Sequence, residues 1–228
     1  MTEYTTGEKV KVLKNLFKGN SIAVPKTITK KDGTTAFTPV CANSGVPGRC
    51  AHLQSKTCSE CTNKNYKPWN DTMRMHHILG DEKDSKGNPV EYGVYALLED
   101  GISCYFVASD FDDRPFSDVK KLYGKLKEWG FEPTIFRSKS KGWHVYIFFT
   151  EPVEARYARA IMRECFNQLG MYPASDGKKM PEIFPKQDGT SQLGNLIRMP
   201  MMEHRIKNER CCPVDENNIP IEMEVSTI

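Results

Sequence analysis

The 228-residue sequence has no apolar run approaching the ~18 consecutive positions that a membrane-spanning helix needs, so no membrane span is expected. Its first residues, MTEYTTGEKVKVLKNLF, lack an apolar stretch followed by small residues. No secretory signal is therefore expected, and a cytoplasmic location follows. There is no internal repeat and no low-complexity tract, which argues against a solenoid or a linker-rich chain. Charge of one sign is also scarce. Thirty-two Lys and Arg face 29 Asp and Glu, a net charge of +3, which permits a nucleic-acid partner only where the basic residues cluster. What is present, 39% apolar and 27% charged residues, is globular composition sufficient for one large domain or two small ones.

Cysteine is plentiful, with eight residues, four of them crowded into 41–61. In a chain of this size without an export signal, such crowding favours a metal site over disulfides. Cys41, Cys50, Cys58 and Cys61 form a C-x8-C-x7-C-x2-C pattern that suits a tetrahedral Zn²⁺, with His52 as an alternative ligand. The surrounding residues 41–70 have little periodicity and read as a loop-built zinc module. Lys56, Lys64 and Lys67 with Tyr66 and Trp69 mix cations and rings, as template or primer contact would require.

Helical spacing of Val10, Leu13, Leu16 and Phe17 predicts a short helix over 9–18. Residues 81–90 read as a polar turn. A strand follows at 104–112. A helix opens near Pro115, with Ser117 as N-cap, and ends at Gly130. Strands at 133–137 and 143–149 precede a helix over 154–169 closed by Gly170, and short strands are expected at 182–184 and 195–199. The order strand, helix, strand, strand, helix, strand predicts an α+β fold with an RRM-like, split βαβ core. The expected division is an N-terminal αβ segment (1–40), the zinc module (41–70) and a catalytic core (71–228).

Three segments carry chemistry. Asp110 and Asp112 alternate along the end of an apolar strand and project to one side. Such a pair suits Mg²⁺ or Mn²⁺, while Phe111 anchors the opposite face. Residues 137–144, RSKSKGWH, offer Ser138, Ser140, Lys141, a glycine and His144 at a turn between strands, a cradle for phosphates. Residues 180–200 supply a further carboxylate, Glu182 or Asp188, and the cations Lys186 and Arg198.

SDFD, SKSKGWH, EIFPKQD and GNLIRMP, in that order, resemble the archaeo-eukaryotic primase superfamily. HHILGDEK, GVYALLEDG and CYFVASDFDD are similar to its primase-polymerases of mobile-element and conflict-system type, including CRISPR-associated ones. The resemblance covers roughly residues 38 to 205. It implies a nucleotidyltransferase that makes and extends primers on single-stranded DNA with two Mg²⁺ or Mn²⁺. In that reading Asp110, Asp112 and Glu182 or Asp188 hold the ions. Ser138, Lys141, His144, Lys186 and Arg198 take nucleotide phosphates, the sheet face supports base and sugar, and His204 is a further candidate. The implied partners are template, primer and dNTP or NTP, with room for a fused or bound helicase, reverse transcriptase or integrase-like protein. The abrupt end of the chain suggests a catalytic piece of a longer protein. A non-catalytic single-strand-binding module and a metal-dependent nuclease are the alternatives.

Overall fold

The structure, a computed structural model, describes residues 5–54, 56–58, 60–171 and 179–222. In chain order its elements are α1 (Thr6–Leu16), β1 (Pro25–Thr29), β2 (Thr35–Pro39), α2 (Asp71–Leu79), β3 (Gly93–Tyr95), β4 (Ser103–Phe111) and α3 (Phe116–Glu128). Then come β5 (Thr134–Arg137), β6 (Trp143–Glu154), α4 (Ala155–Gln168), β7 (Glu182–Phe184), β8 (Leu196–Arg198), α5 (Glu203–Ile206) and β9 (Pro213–Val214). Among the described residues no helix is long and apolar enough to cross a membrane.

Local chemistry explains most boundaries. Thr5 and Glu8 form a reciprocal cap: each backbone N–H donates to the other's side chain, which starts α1 ahead of its first apolar position. Asn70 accepts from the Met73 N–H to open α2, and left-handed Gly80 closes it. The α3 helix corrects one expectation. Pro115, extended and followed by Phe116, occupies the cap position, so Ser117 lies inside the helix rather than capping it. Strand β6 runs to Glu154, beyond the apolar stretch, because its polar end pairs with the start of β4.

The main sheet is antiparallel, in the order β7-β4-β6-β5-β9. Strands β4 and β5, linked through α3, flank β6, while β6 and β7, linked through α4, flank β4. Alternation divides the side chains. Val107, Phe111, Val145 and Ile147 pack with Leu122, Leu126, Met162 and Phe166 of α3 and α4. Phe106, Ala108, Tyr146 and Phe184 pack on the opposite face with Leu13 and Phe17 from the α1 region. The Phe17 ring sits 5.3 to 6.2 Å from Phe106, Phe136, Tyr146 and Phe148. A sheet face with four large rings is too apolar to leave in water. Its centre is consequently closed, and the expectation that it supports base and sugar fails there.

A third correction concerns residues 195–199. Strand β8 does not join the main sheet but pairs with β3 in a separate ribbon. The β1–β2 hairpin adjoins it through the bridge of Lys26 to Tyr92. Buried His77 ties the ribbon together: Nδ1 accepts from the Tyr92 N–H at 3.0 Å, and Nε2 donates to the Pro200 carbonyl at 2.9 Å. Burial pulls the pKa of this imidazole down to about 4.

The neutral form of His77 belongs to the fold, whereas the unfolded chain takes up its proton near pH 6.5. The associated stability is complete above pH 6.5 and lost as pH falls toward 4, worth ~3 kcal/mol at 1.36 kcal/mol per pH unit. Urea unfolding at pH 7 and pH 4.5 should show the wild type losing ~2–3 kcal/mol more than His77→Gln. Equal losses would contradict this role.

Candidate active site

Asp110 is the hub of a single rung of the sheet. It lies directly opposite His144 across the β4–β6 ladder and directly opposite Glu182 across the β4–β7 ladder. Opposed Cα atoms in antiparallel strands are ~4.5–5.5 Å apart, so three distant segments meet in one row. The row continues the face carrying Ala108, Tyr146 and Phe184, just past the point where the apolar packing ends.

The electrostatics are tense. Asp110 Oδ1 is buried and accepts no hydrogen bond, although His144 Nε2 lies 3.3 Å away. The buried Tyr146 hydroxyl sits 3.4 Å from His144 Nδ1. Burial, and then the charge of Asp110, hold the Tyr146 phenol protonated well above its ordinary pKa. The imidazole thus lies between the Tyr146 hydroxyl on its Nδ1 side and the Asp110 carboxylate on its Nε2 side. Burial and Asp110 also raise Asp112 above the usual carboxylate range. A cleft of about 10 Å³, enough for one water-sized body, is bounded by Asp110, Asp112, Glu182, Arg114 and Lys179. The Glu182 carboxylate is drawn sideways to Lys186 at 2.7 Å and Lys179 at 3.6 Å. Among the described residues no three His, Cys, Asp or Glu side chains already converge tightly enough to hold a metal ion.

The 138–142 turn lies against the end of β4. Ser138 donates its N–H to the Gly142 carbonyl at 3.0 Å and its hydroxyl to the Lys141 carbonyl at 2.9 Å. Gly142 has φ +106°, and a Cβ there would fall 2.4 Å from the Phe111 carbonyl oxygen. Glycine is required for this approach. Lys141 points outward and pairs with Asp113 at 3.1 Å, and Ser140 is exposed. Lys139 instead lines a 250 Å³ pocket with Glu91, His204 and Arg205. Burial and Arg205 lower its pKa.

Arg198 is held in the β3–β8 ribbon, where the buried Glu91 carboxylate pairs with both Arg198 and Arg205 and His204 Nε2 approaches to 3.7 Å. Asp188 turns to Arg159 Nε at 2.7 Å. The structure thus gathers Asp110, Asp112, His144, Glu182 and Lys186, directs Asp188 toward α4, and leaves Lys141 at the rim. Sequence reasoning missed Glu91, Arg159 and Arg205, and read Lys139 only as one of the cradle's cations. Glu91 carried a signal, a carboxylate inside the apolar run Val90 to Val94.

In the cysteine segment, burial raises the Cys58 thiol, and the nearby Cys41, Cys50 and Cys61 add to the shift. His52 Nε2 lies 3.1 Å from Cys58 Sγ. Lys56, Lys64 and Lys67 are exposed, but Trp69 packs on Tyr92 at 5.5 Å beneath Arg74. Its ring is already occupied, which corrects its expected role as a stacking platform.

Removing the buried charge of Glu91 leaves two guanidiniums facing each other. Glu91→Gln is expected to lose ~3–5 kcal/mol of stability in urea unfolding at pH 7. A loss below ~1 kcal/mol would show that the arginines are held by other groups.

Compared with known families, residues 8–228 match the TOTE conflict system archaeo-eukaryotic primase domain. No curated protein matches. Among solved structures, the polymerase domain of Mycobacterium tuberculosis Ligase D, determined in complex with DNA, aligns at 13% identity and a TM-score of 0.38. The alignment covers 73% of this chain and 62% of that one. With nearly its whole length matched, the chain belongs to the archaeo-eukaryotic primases, in the family found in TOTE conflict systems.

Proposed function

We propose that this protein is a DNA primase-polymerase, which builds and extends primers on single-stranded template by nucleotidyl transfer from dNTP or NTP. Its family supports nucleotidyl transfer on DNA in general. The observation that carries the finer reading is the rung itself, where Asp110 is flanked in register by His144 and Glu182. We also read the β7-β4-β6-β5 order, with its two helical crossovers, as an RRM-like split βαβ core.

The residues fit divalent ions. Asp110 has a buried oxygen without a hydrogen bond, Asp112 is raised by burial and its neighbour's charge, and the cleft between them accepts one small body. Asp110, Asp112 and Glu182 would hold the Mg²⁺ or Mn²⁺, one in the cleft as it stands and a second as the family resemblance implies, with Glu182 preferred to Asp188 because Asp188 is committed to Arg159. Such ions supply Lewis acidity toward the primer 3′-hydroxyl and neutralise charge on the departing pyrophosphate. The 3′ oxygen attacks the α-phosphorus, the bond to the β-phosphate oxygen breaks, and the hydroxyl proton passes to solvent.

The chain's own residues position the reactants. His144 Nε2–H, oriented by Tyr146, donates to a phosphate oxygen. Ser138 and its turn, with Ser140 and Lys141 at the rim, line the triphosphate path, and Lys139, Arg198 and Arg205 add charge from the ribbon side. Lys186 restrains Glu182. Catalysis by this arrangement is positioning and electrostatic stabilisation. Cys41, Cys50, Cys58 and Cys61 would bind one Zn²⁺, with His52 beside Cys58 as the alternative fourth ligand. A strand-binding module without chemistry has no use for the unsatisfied carboxylate at Asp110, and a nuclease has less use for the His144 turn.

Primer extension on single-stranded DNA with Mg²⁺ or Mn²⁺ tests the assignment. Asp110→Ala/Asp112→Ala should abolish it, and Glu182→Gln should reduce it at least ~100-fold while Asp188→Asn costs less than ~10-fold. Activity equal to wild type in the double variant, or degradation in place of extension, rejects the proposal. Separately, metal analysis should find one zinc per chain, lost with a fall in Tm in Cys58→Ala/Cys61→Ala. Folded, zinc-free wild type would reject the cysteine site.

A further inference from the structure

On the far side of Glu182 from His144, an open groove of about 410 Å³ runs between α4 and the β7 edge. Arg159, Arg163, Lys179 and Lys186 line it with Glu182, and Asp188 borders it through Arg159. Four cations against two carboxylates leave a net positive strip. Arg159 and Arg163 lie one helical turn apart on the same face of α4. Arg159 is nearly buried, anchored by donation from Nη1 to the Pro185 carbonyl at 2.8 Å and by its Asp188 pair. After burial, the charge of Arg163 is what most disfavours the charged form of Arg159. Arg163 itself is exposed and has no ion-pair or hydrogen-bond partner among the described residues. Two like charges held together, one of them unpaired, describe a site prepared for an anion.

The groove shares Lys179 and Glu182 with the Asp110/Asp112 cleft, so the two are continuous. Its position decides which anion. The sheet order sets the 138–142 turn on the β6 side of Asp110 and this groove on the β7 side. The turn and the groove thus lie on opposite sides of the rung, with β4 between them. A nucleic-acid strand whose 3′ end enters the cleft must carry its backbone away from it, and this edge offers a continuous positive exit.

We propose that the α4–β7 groove binds backbone phosphates of the primer strand just upstream of its 3′ end, with Arg163 making the direct phosphate contact and Arg159 holding the wall. This rests on the polymerase reading above and adds to it the path of one strand.

The test is fluorescence anisotropy with a labelled primer–template DNA, in EDTA and without nucleotide, over a series of salt concentrations. Arg163→Ala should weaken binding ~5–10-fold and lower the slope of log affinity against log salt by about one, as loss of one phosphate contact requires. Arg163→Lys should retain the slope. Binding of a fluorescent deoxynucleoside triphosphate with Mg²⁺ should be unchanged in both. Arg163 is exposed, so the folded state is not at stake. Unchanged DNA affinity and slope in Arg163→Ala, or a defect confined to nucleotide binding, overturns the groove. Wild-type protein that binds DNA with these slopes yet extends no primer overturns the polymerase reading and leaves the groove standing.

Discussion

The constraint on which the rest of the molecule depends is the ending of β4 in charge. Phe106, Val107 and Ala108 are buried from both sides, by α3 and α4 on one face and by Phe17 and its surroundings on the other. The strand then delivers Asp110 to the rim of that core, with one oxygen out of water and accepting no hydrogen bond. A carboxylate in that position is costly unless positive charge comes to it. His144 Nε2 lies 3.3 Å away and, one strand over, stands a second carboxylate whose own charge is answered by Lys186. This incomplete balance is the observation on which the proposed cation site rests.

Much of the surrounding architecture keeps that rung open and correctly spaced. Gly142 lets the second turn lie against the Phe111 carbonyl, so His144 enters β6 opposite Asp110. Tyr146, one place along the same face, brings its hydroxyl to 3.4 Å from the imidazole Nδ1. Beyond the sheet, Glu91 gathers Arg198 and Arg205 into the β3–β8 region, and neutral His77 ties Tyr92 to Pro200 beside it. Positive charge is thereby distributed on both sides of the acidic rung, one group toward the 138–142 turn and another along the edge of β7. In the polymerase reading proposed above, one side would serve the triphosphate and the other the strand end.

Elements with strong periodicity or clear punctuation are legible in the residue pattern itself. Helices α3 and α4 end where Gly130 and Gly170 turn left-handed, and strands β4, β5 and β7 fall where the apolar runs place them. Helix α2 is signalled by Asn70 and Gly80, but its polar, histidine-rich face masks the pattern. The partnership of β8 with β3 is not readable, because three-residue strands carry no information about which edge they will join. Nor is the covering of the sheet by Phe17, a contact between residues some ninety to a hundred and thirty positions apart. Trp69 shows the same limit, since ring and cation composition alone does not reveal whether a side chain is already packed.

The sequence alone determined the chemical vocabulary: an alternating acidic pair after an apolar strand, a hydroxyl-rich basic turn ending in histidine, and a later acid among cations. Residue type and local spacing dictate those, because alternation along a strand and the demands of a tight turn act over a few residues. Tertiary structure decided which acid completes the row. Glu182 and Asp188 are equivalent by composition, and only pairing of β7 with β4 puts the first opposite Asp110, while α4 draws the second to Arg159. Register is a property of two strands meeting, settled by the burial of both faces of the sheet at once, and no single stretch of chain contains it.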